Sequence, residues 1–280
     1  MTTGEPAFQP IAAAGQTFIA QDAGAGPLVL LLHGFPDTPH GWAATRDALV
    51  AGGFRAVVPY LRGYHPDTIV PGRGYTGIEL AEDVPRLLDA LGADQAVVVG
   101  HDWGAAIAFR AATAFPDRVR AIGAVAIPHP RAIERSPALL WRARHFVTLR
   151  LPTGPALVRG RDFAYVEALY RRWAPNWNGP DRDACVAHAK AAFADQRVLD
   201  AALGYYRALK PGEPDQIAQP GLIVGGTADL IAPEAFERSR DGFDGDCEVL
   251  VAPGAGHWPH REAAPAFHER LLGFLGGLDG

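Results

Sequence analysis

The stretch Gly100-His101-Asp102-Trp103-Gly104 constrains this chain more than any other part of it. An apolar run over 95–99 leads into it, and the small residues Ala105, Ala106, Ile107 and Ala108 lead away, which reads as strand, sharp turn and helix. Glycines on both sides of a central residue relieve clashes around a strained backbone, so the turn presents Asp102 at its tip. Strand, turn and following helix are the unit from which a parallel sheet is built. An aspartate that merely caps the following helix is the competing reading.

The remaining 280-residue sequence agrees with that unit. Apolar runs over 28–32, 55–59, 95–99, 121–127, 222–224 and 248–251 read as buried strands, and 42–51, 77–91, 104–115 and 262–274 as helices. The alternation predicts an α/β protein with a mostly parallel sheet covered by helices on both faces. Between about 131 and 215 the strand runs stop, and helical segments rich in Arg, Trp and Tyr replace them. We read 131–215 as an inserted helical cap and 1–130 with 216–280 as one core domain. Pro128-His129-Pro130 and Lys210-Pro211-Gly212-Glu213-Pro214 mark the edges as turn-forming clusters.

Composition excludes several classes. With 26 basic and 31 acidic residues the net charge is −5, and no run of like charges stands out, so neither nucleic acid nor a membrane is an expected partner. A hydrophobic share of 48% and a charged share of 20% exclude disorder. Cys185 and Cys247 stand far apart, in no metal-binding or redox spacing, and fit a reducing cytoplasm. No export signal or membrane-spanning run is legible. The expectation is a cytoplasmic protein without metal or other cofactor, with a homodimer left open.

Two further residues complete a constellation with Asp102. A base is wanted in a loop after the last strand, and His257 occupies that place in Pro253-Gly254-Ala255-Gly256-His257-Trp258-Pro259. The base needs an acid to fix its tautomer, and Asp229 follows the strand over 222–224, whereas 121–127 contains no acidic residue. His33-Gly34-Phe35-Pro36 follows the strand over 28–32, with His33 read as holding its loop.

His33-Gly34-Phe35-Pro36, Arg62-Gly63-Tyr64, the Asp102 turn, Asp229 and Gly256-His257-Trp258 together resemble the epoxide hydrolase and haloalkane dehalogenase branch of the α/β-hydrolase family. The resemblance covers both core segments firmly and the cap loosely. It implies the α/β-hydrolase fold with a cap, Asp102 as nucleophile, and an oxyanion hole from the backbone N–H groups of Phe35 and Trp103. It also implies two cap donors to a ring oxygen. Ala202-Leu203-Gly204-Tyr205-Tyr206-Arg207 matches the segment that carries one of them, which assigns Tyr206. The other place falls in 145–152 and holds His145 where a tyrosine is usual, with Tyr165 and Tyr170 as fallback candidates. Trp103 and Ala106 stand where fluoroacetate dehalogenases carry arginines, which disfavours small haloacids. Tyr60 replaces an aspartate that relatives carry, and nothing in the sequence explains it. Trp141, Trp173 and Trp177 suggest an aromatic cap facing an apolar pocket.

A carboxylate nucleophile restricts the chemistry. Serine attacking a saturated carbon would leave an inert ether, whereas a carboxylate forms an ester that water can cleave. The substrate expected is therefore a small hydrophobic epoxide, opened to a vicinal diol with water as co-substrate. Alkyl halides are the alternative, but Phe35 offers no side-chain donor for a halide. A ligand receptor built on the same fold is the remote alternative.

Overall fold

Along the strand Leu28–Leu32, Val29 and Leu31 pack into one apolar layer while Leu30 and Leu32 pack into another. A strand with apolar side chains on both faces must be covered on both, which explains why the run shows no polar alternation. The computed structural model describes residues 6–134, 136–210 and 216–278, so the expected turn cluster over 211–214 and the first five residues of the expected core lie outside the described residues.

The described strands form one eight-stranded sheet in the order β1-β2-β4-β3-β5-β6-β7-β8. They are β1 (Gln9–Ala13), β2 (Gln16–Ala23), β3 (Leu28–Leu32), β4 (Arg55–Pro59), β5 (Ala96–His101), β6 (Val119–Val125), β7 (Gly221–Gly226) and β8 (Cys247–Ala252). β2 runs antiparallel to its neighbours and all pairs from β4 to β8 are parallel. The six strands read from the sequence are present. The hairpin β1–β2 was not read, because its first strand is largely exposed and mixes Gln and Pro with small apolar residues.

Helices α1 (Ala43–Ala51), α2 (Gly77–Ala81), α3 (Asp83–Leu91) and α4 (Trp103–Ala114) lie in the connections from β3 to β6. The single helix expected over 77–91 is two, because Pro85 has no N–H to donate to the Ala81 carbonyl. Among the described residues five α-helices lie between β6 and β7: α5 (Pro137–Arg142), α6 (His145–Arg150), α7 (Gly154–Trp173), α8 (Pro180–Phe193) and α9 (Gln196–Ala208). α7 is interrupted where Arg161, Asp162 and Phe163 adopt φ of 52°, 52° and 59°. Beyond β7 follow α10 (Pro233–Arg238), α11 (Pro259–Glu262) and α12 (Ala264–Gly277). α12 and α1 cover one face of the sheet, with Leu49, Phe267, Leu271 and Phe274 packed against Val29, Leu31, Val97 and Val99. No described helix is long and apolar enough to cross a membrane.

Candidate active site

Asp102 sits between β5 and α4 with φ 53° and ψ −115°, a region that L-residues rarely enter. Its neighbours make that turn possible. A Cβ on Gly100 would lie 2.1 Å from the Gly104 backbone, and one on Gly104 would lie 2.1 Å from the Leu32 carbonyl oxygen. Gly34 serves the same purpose across the gap, since its Cβ would stand 2.4 Å from that of Asp102. The Asp102 side chain makes no capping hydrogen bond to α4, so the helix-cap reading fails. The carboxylate is instead turned toward the loop after β3, where the Phe35 N–H donates to its Oδ1 at 2.8 Å. Trp103 opens α4, and its backbone N–H therefore has no acceptor within the helix.

His257 approaches from the loop after β8. Its Nε2 stands 3.4 Å from Asp102 Oδ2, and its Nδ1 donates to Asp229 at 3.1 and 3.3 Å from the two oxygens. Burial opposes charge on this imidazole, but the carboxylates of Asp229 and Asp102 outweigh it and push its pKa up to about 10. Burial likewise works against the Asp102 carboxylate, and the hydrogen bond and charge of His257 hold its pKa below the ordinary value. The loop is braced by Glu262, which accepts from the Gly256 N–H at 2.8 Å and the Trp258 N–H at 2.9 Å. His257 also donates its own backbone N–H to the Trp173 carbonyl at 2.9 Å.

Both residues expected from the inserted helices face this group. Tyr206 packs edge-on against Trp103 and Phe35, with ring centroids 5.0 and 5.3 Å apart. His145 lies 6.1 Å from Tyr206 and 4.6 Å from Trp173, which in turn lies 5.0 Å from His257. Burial drives the His145 pKa down to about 3 and the Tyr206 pKa well above its ordinary value, so both are neutral and both carry a proton. Tyr170, a fallback candidate, commits its hydroxyl to the Pro36 carbonyl at 3.0 Å. Tyr205 does the same to the Arg62 carbonyl at 2.7 Å. Tyr165 is half-buried near Thr148 and Arg172.

Other expectations need revision. Trp173 and Trp177 are buried, but Trp141 is 69% exposed and faces no pocket, because α5 turns that side to solvent. His33 holds its loop as read, with Nδ1 donating to the Gly34 carbonyl at 3.1 Å and Nε2 accepting from the Leu61 N–H at 3.1 Å. Tyr60 belongs to a ring cluster with Phe8, His33, His40 and His65, a packing role that the sequence left unexplained.

A layer behind the site escaped the sequence reading. His101 donates from Nε2 to the His257 carbonyl at 2.8 Å, and the Trp258 indole donates to Asp37 at 3.2 Å. Burial raises Asp37 to about 6 and lowers His101 to about 3. The donor atoms of Asp37, His101 and His260 lie within 4.8 Å of one another, the one described group close enough to hold an ion, although Asp37 already accepts from Thr38 and Trp258. Each stands next to or within four residues of a recognised motif, but a side chain pointing behind such a motif leaves no periodic trace.

A carboxylate at a strained strand-to-helix turn, a histidine beside it and an acid behind the histidine appear here in the chain order Asp102, Asp229, His257. Residues 27–264 match the family described as alpha/beta hydrolase fold. The chain belongs to the alpha/beta hydrolase family. A protein from Caballeronia sordidicola named epoxide hydrolase is 30% identical to this hydrolase, over 99% of this chain and 96% of its own. Epoxide hydrolase A of Mycobacterium tuberculosis is 27% identical, over 90% of this chain and 91% of its own. The crystal structure of epoxide hydrolase A from Mycobacterium thermoresistibile superposes on this α/β-hydrolase with a TM-score of 0.80 at 26% identity, covering 97% of this chain and 98% of that one.

Proposed function

We propose that the protein is an epoxide hydrolase that opens a hydrophobic epoxide to a vicinal diol through an ester on Asp102, with 131–215 acting as a cap over a core of 1–130 and 216–280. The reading is carried by one observation: a carboxylate paired with a histidine stands opposite two neutral proton donors, Tyr206 and His145. The relatives named epoxide hydrolase support it.

Asp102 attacks a ring carbon, an ester C–O bond forms, and the ring C–O bond breaks toward its oxygen. Negative charge growing on that oxygen is met by the Tyr206 O–H and the His145 N–H. A Tyr206 hydroxyl that resists ionisation donates a hydrogen bond without surrendering its proton prematurely. Esterification removes one of the two carboxylates that hold the proton on His257, so its pKa falls and it becomes a base. The proton that His257 sheds matches the one the new alkoxide requires. Water then attacks the ester carbonyl carbon and passes a proton to His257, while the Phe35 and Trp103 N–H groups hold the oxyanion. Collapse releases the diol and restores Asp102.

The test is a single turnover with enzyme in excess in water labelled with heavy oxygen. The first diol formed carries an unlabelled oxygen from Asp102, and Asp102 gains the label. Label entering the diol in that first turnover, with none in Asp102, overturns the ester mechanism. In His257→Gln the alkyl-enzyme accumulates and is visible by mass spectrometry.

A further inference from the structure

Outside 136–161 many arginines pair with carboxylates, as Arg55 does with Asp22, Arg62 with Asp83, Arg118 with Asp89 and Arg270 with Glu248, while Arg73, Arg131 and Arg207 donate to amide or carbonyl oxygens. Residues 136–161 break the habit, since they hold five arginines and no acidic residue in a chain of net charge −5. None of the five forms an ion pair among the described residues. Arg142, Arg144 and Arg150 donate to the carbonyls of Leu230, Trp141 and Leu209, and Arg159 donates to the Gln196 amide.

The same segment exposes apolar side chains. Of the eight large hydrophobic residues exposed among the described residues, five are Leu140, Trp141, Val147, Leu151 and Leu157. Leu140, Trp141 and Val147 are each about two-thirds exposed, at 67%, 69% and 67%. Val147 stands on the outer side of α6, whose inner side buries His145 and Leu149, and Leu151 follows just past the end of that helix. The Arg144 guanidinium lies over the Trp141 ring at 4.4 Å, so charge and aromatic surface are presented together.

We propose that the outer face of α5 and α6 docks on an anionic lipid surface. Unneutralised arginines around exposed Trp, Leu and Val side chains match a bilayer interface, where apolar groups enter the headgroup boundary and arginines meet lipid phosphates. The negative charge of the whole chain does not oppose this at physiological salt, because screening over about 8 Å leaves the local patch dominant. A docked face would place the inner side of α6, and so His145, one helix diameter from the lipid. Neither nucleic acid nor a membrane was expected, because the net charge averages this segment away and its arginines are spaced apart and form no continuous run.

The experiment is co-sedimentation of the full chain with phosphatidylcholine vesicles, with and without phosphatidylglycerol. It does not depend on any reading of the catalytic chemistry. Binding is expected to be about tenfold greater on the anionic vesicles at low salt and to fall to the neutral level in about 0.5 M salt. Trp141→Ser/Val147→Ser and Arg142→Gln/Arg150→Gln should each lose that binding while keeping the wild-type circular dichroism spectrum and melting temperature. Failure of the wild type to bind any vesicle overturns the proposal, as does equal binding to both compositions. It is also overturned if both double variants bind like wild type, or if light scattering finds a dimer that Trp141→Ser/Val147→Ser dissociates.

Discussion

The core and the inserted helices each supply half of the candidate site, and they hold their halves in different ways. On the core side, hydrogen bonds orient the groups of the site: Phe35 to Asp102, His257 to Asp229, His101 to the His257 carbonyl, and Gly256 and Trp258 to Glu262. On the other side, ring packing fixes Tyr206 between Phe35, Trp103 and Phe146, and His145 between Phe146 and Trp173. Hydrogen bonds set a proton's location and an approach angle. Ring packing sets position while leaving the polar atom free to meet a ligand. Under the proposed mechanism the core half would carry the proton transfers, and the helical half would receive the group that leaves.

The sharpest way to break the comparison is to remove a wired group. Asp102→Asn should lower kcat/KM on an aryl epoxide by about 10⁴-fold or more, with no ester trapped in mass spectra. Residual turnover near wild type would mean that another nucleophile operates. Removing a packed donor should cost less, so Tyr206→Phe should reduce kcat about 10²-fold. The neighbouring Tyr205→Phe loses only the bond to Arg62 and should keep its rate while destabilising the fold by about 1 kcal/mol. Equal rate losses in the two variants would show that Tyr206 acts by packing alone.

Stability separates the two sides of the inserted helices in the same way. Trp173→Ala opens a cavity between His145 and His257 and should cost about 3–5 kcal/mol in denaturant unfolding. Trp141→Ser, at an exposed position, should stay within about 0.5 kcal/mol. Stability should also depend on pH through His257. The His257 pKa rises in the folded state from its ordinary 6.5 to about 10, so the fold binds the protonated form. That contribution is complete below about 6.5 and is lost as pH rises through about 10. The melting-temperature advantage of wild type over His257→Gln should therefore shrink across that window, and a constant gap would deny the coupling. By NMR, the His257 pKa in Asp102→Asn should lie below that of wild type, because one of its two carboxylates is gone.

How much could be read in advance follows from the same division. Asp102, Asp229 and His257 were legible because each sits in a turn whose glycines cannot be replaced: Gly100 and Gly104 touch backbone, Gly226 would meet the Ala255 carbonyl, and Gly256 would meet that of Trp173. Such steric demands act over a few residues and leave a local signature. Tyr206 and His145 came only through family likeness, since a buried aromatic on a helix looks alike whether it packs or donates. Asp37, His101 and His260 were missed because their convergence joins a loop, the end of β5 and the start of α11, which are distant in the chain.

By itself, then, the sequence determined the six strands from β3 to β8, the strained turn and the identity of the carboxylate on it, since backbone sterics and apolar periodicity are local. Only the tertiary structure decided that Tyr170 and Tyr205 spend their hydroxyls on backbone carbonyls, that Trp141 points outward while Trp173 lines the site, and that the arginines of 136–161 find no acidic partner among the described residues. Those outcomes depend on which helix faces meet across the fold, and a side chain's partner at long range is not written in its neighbours.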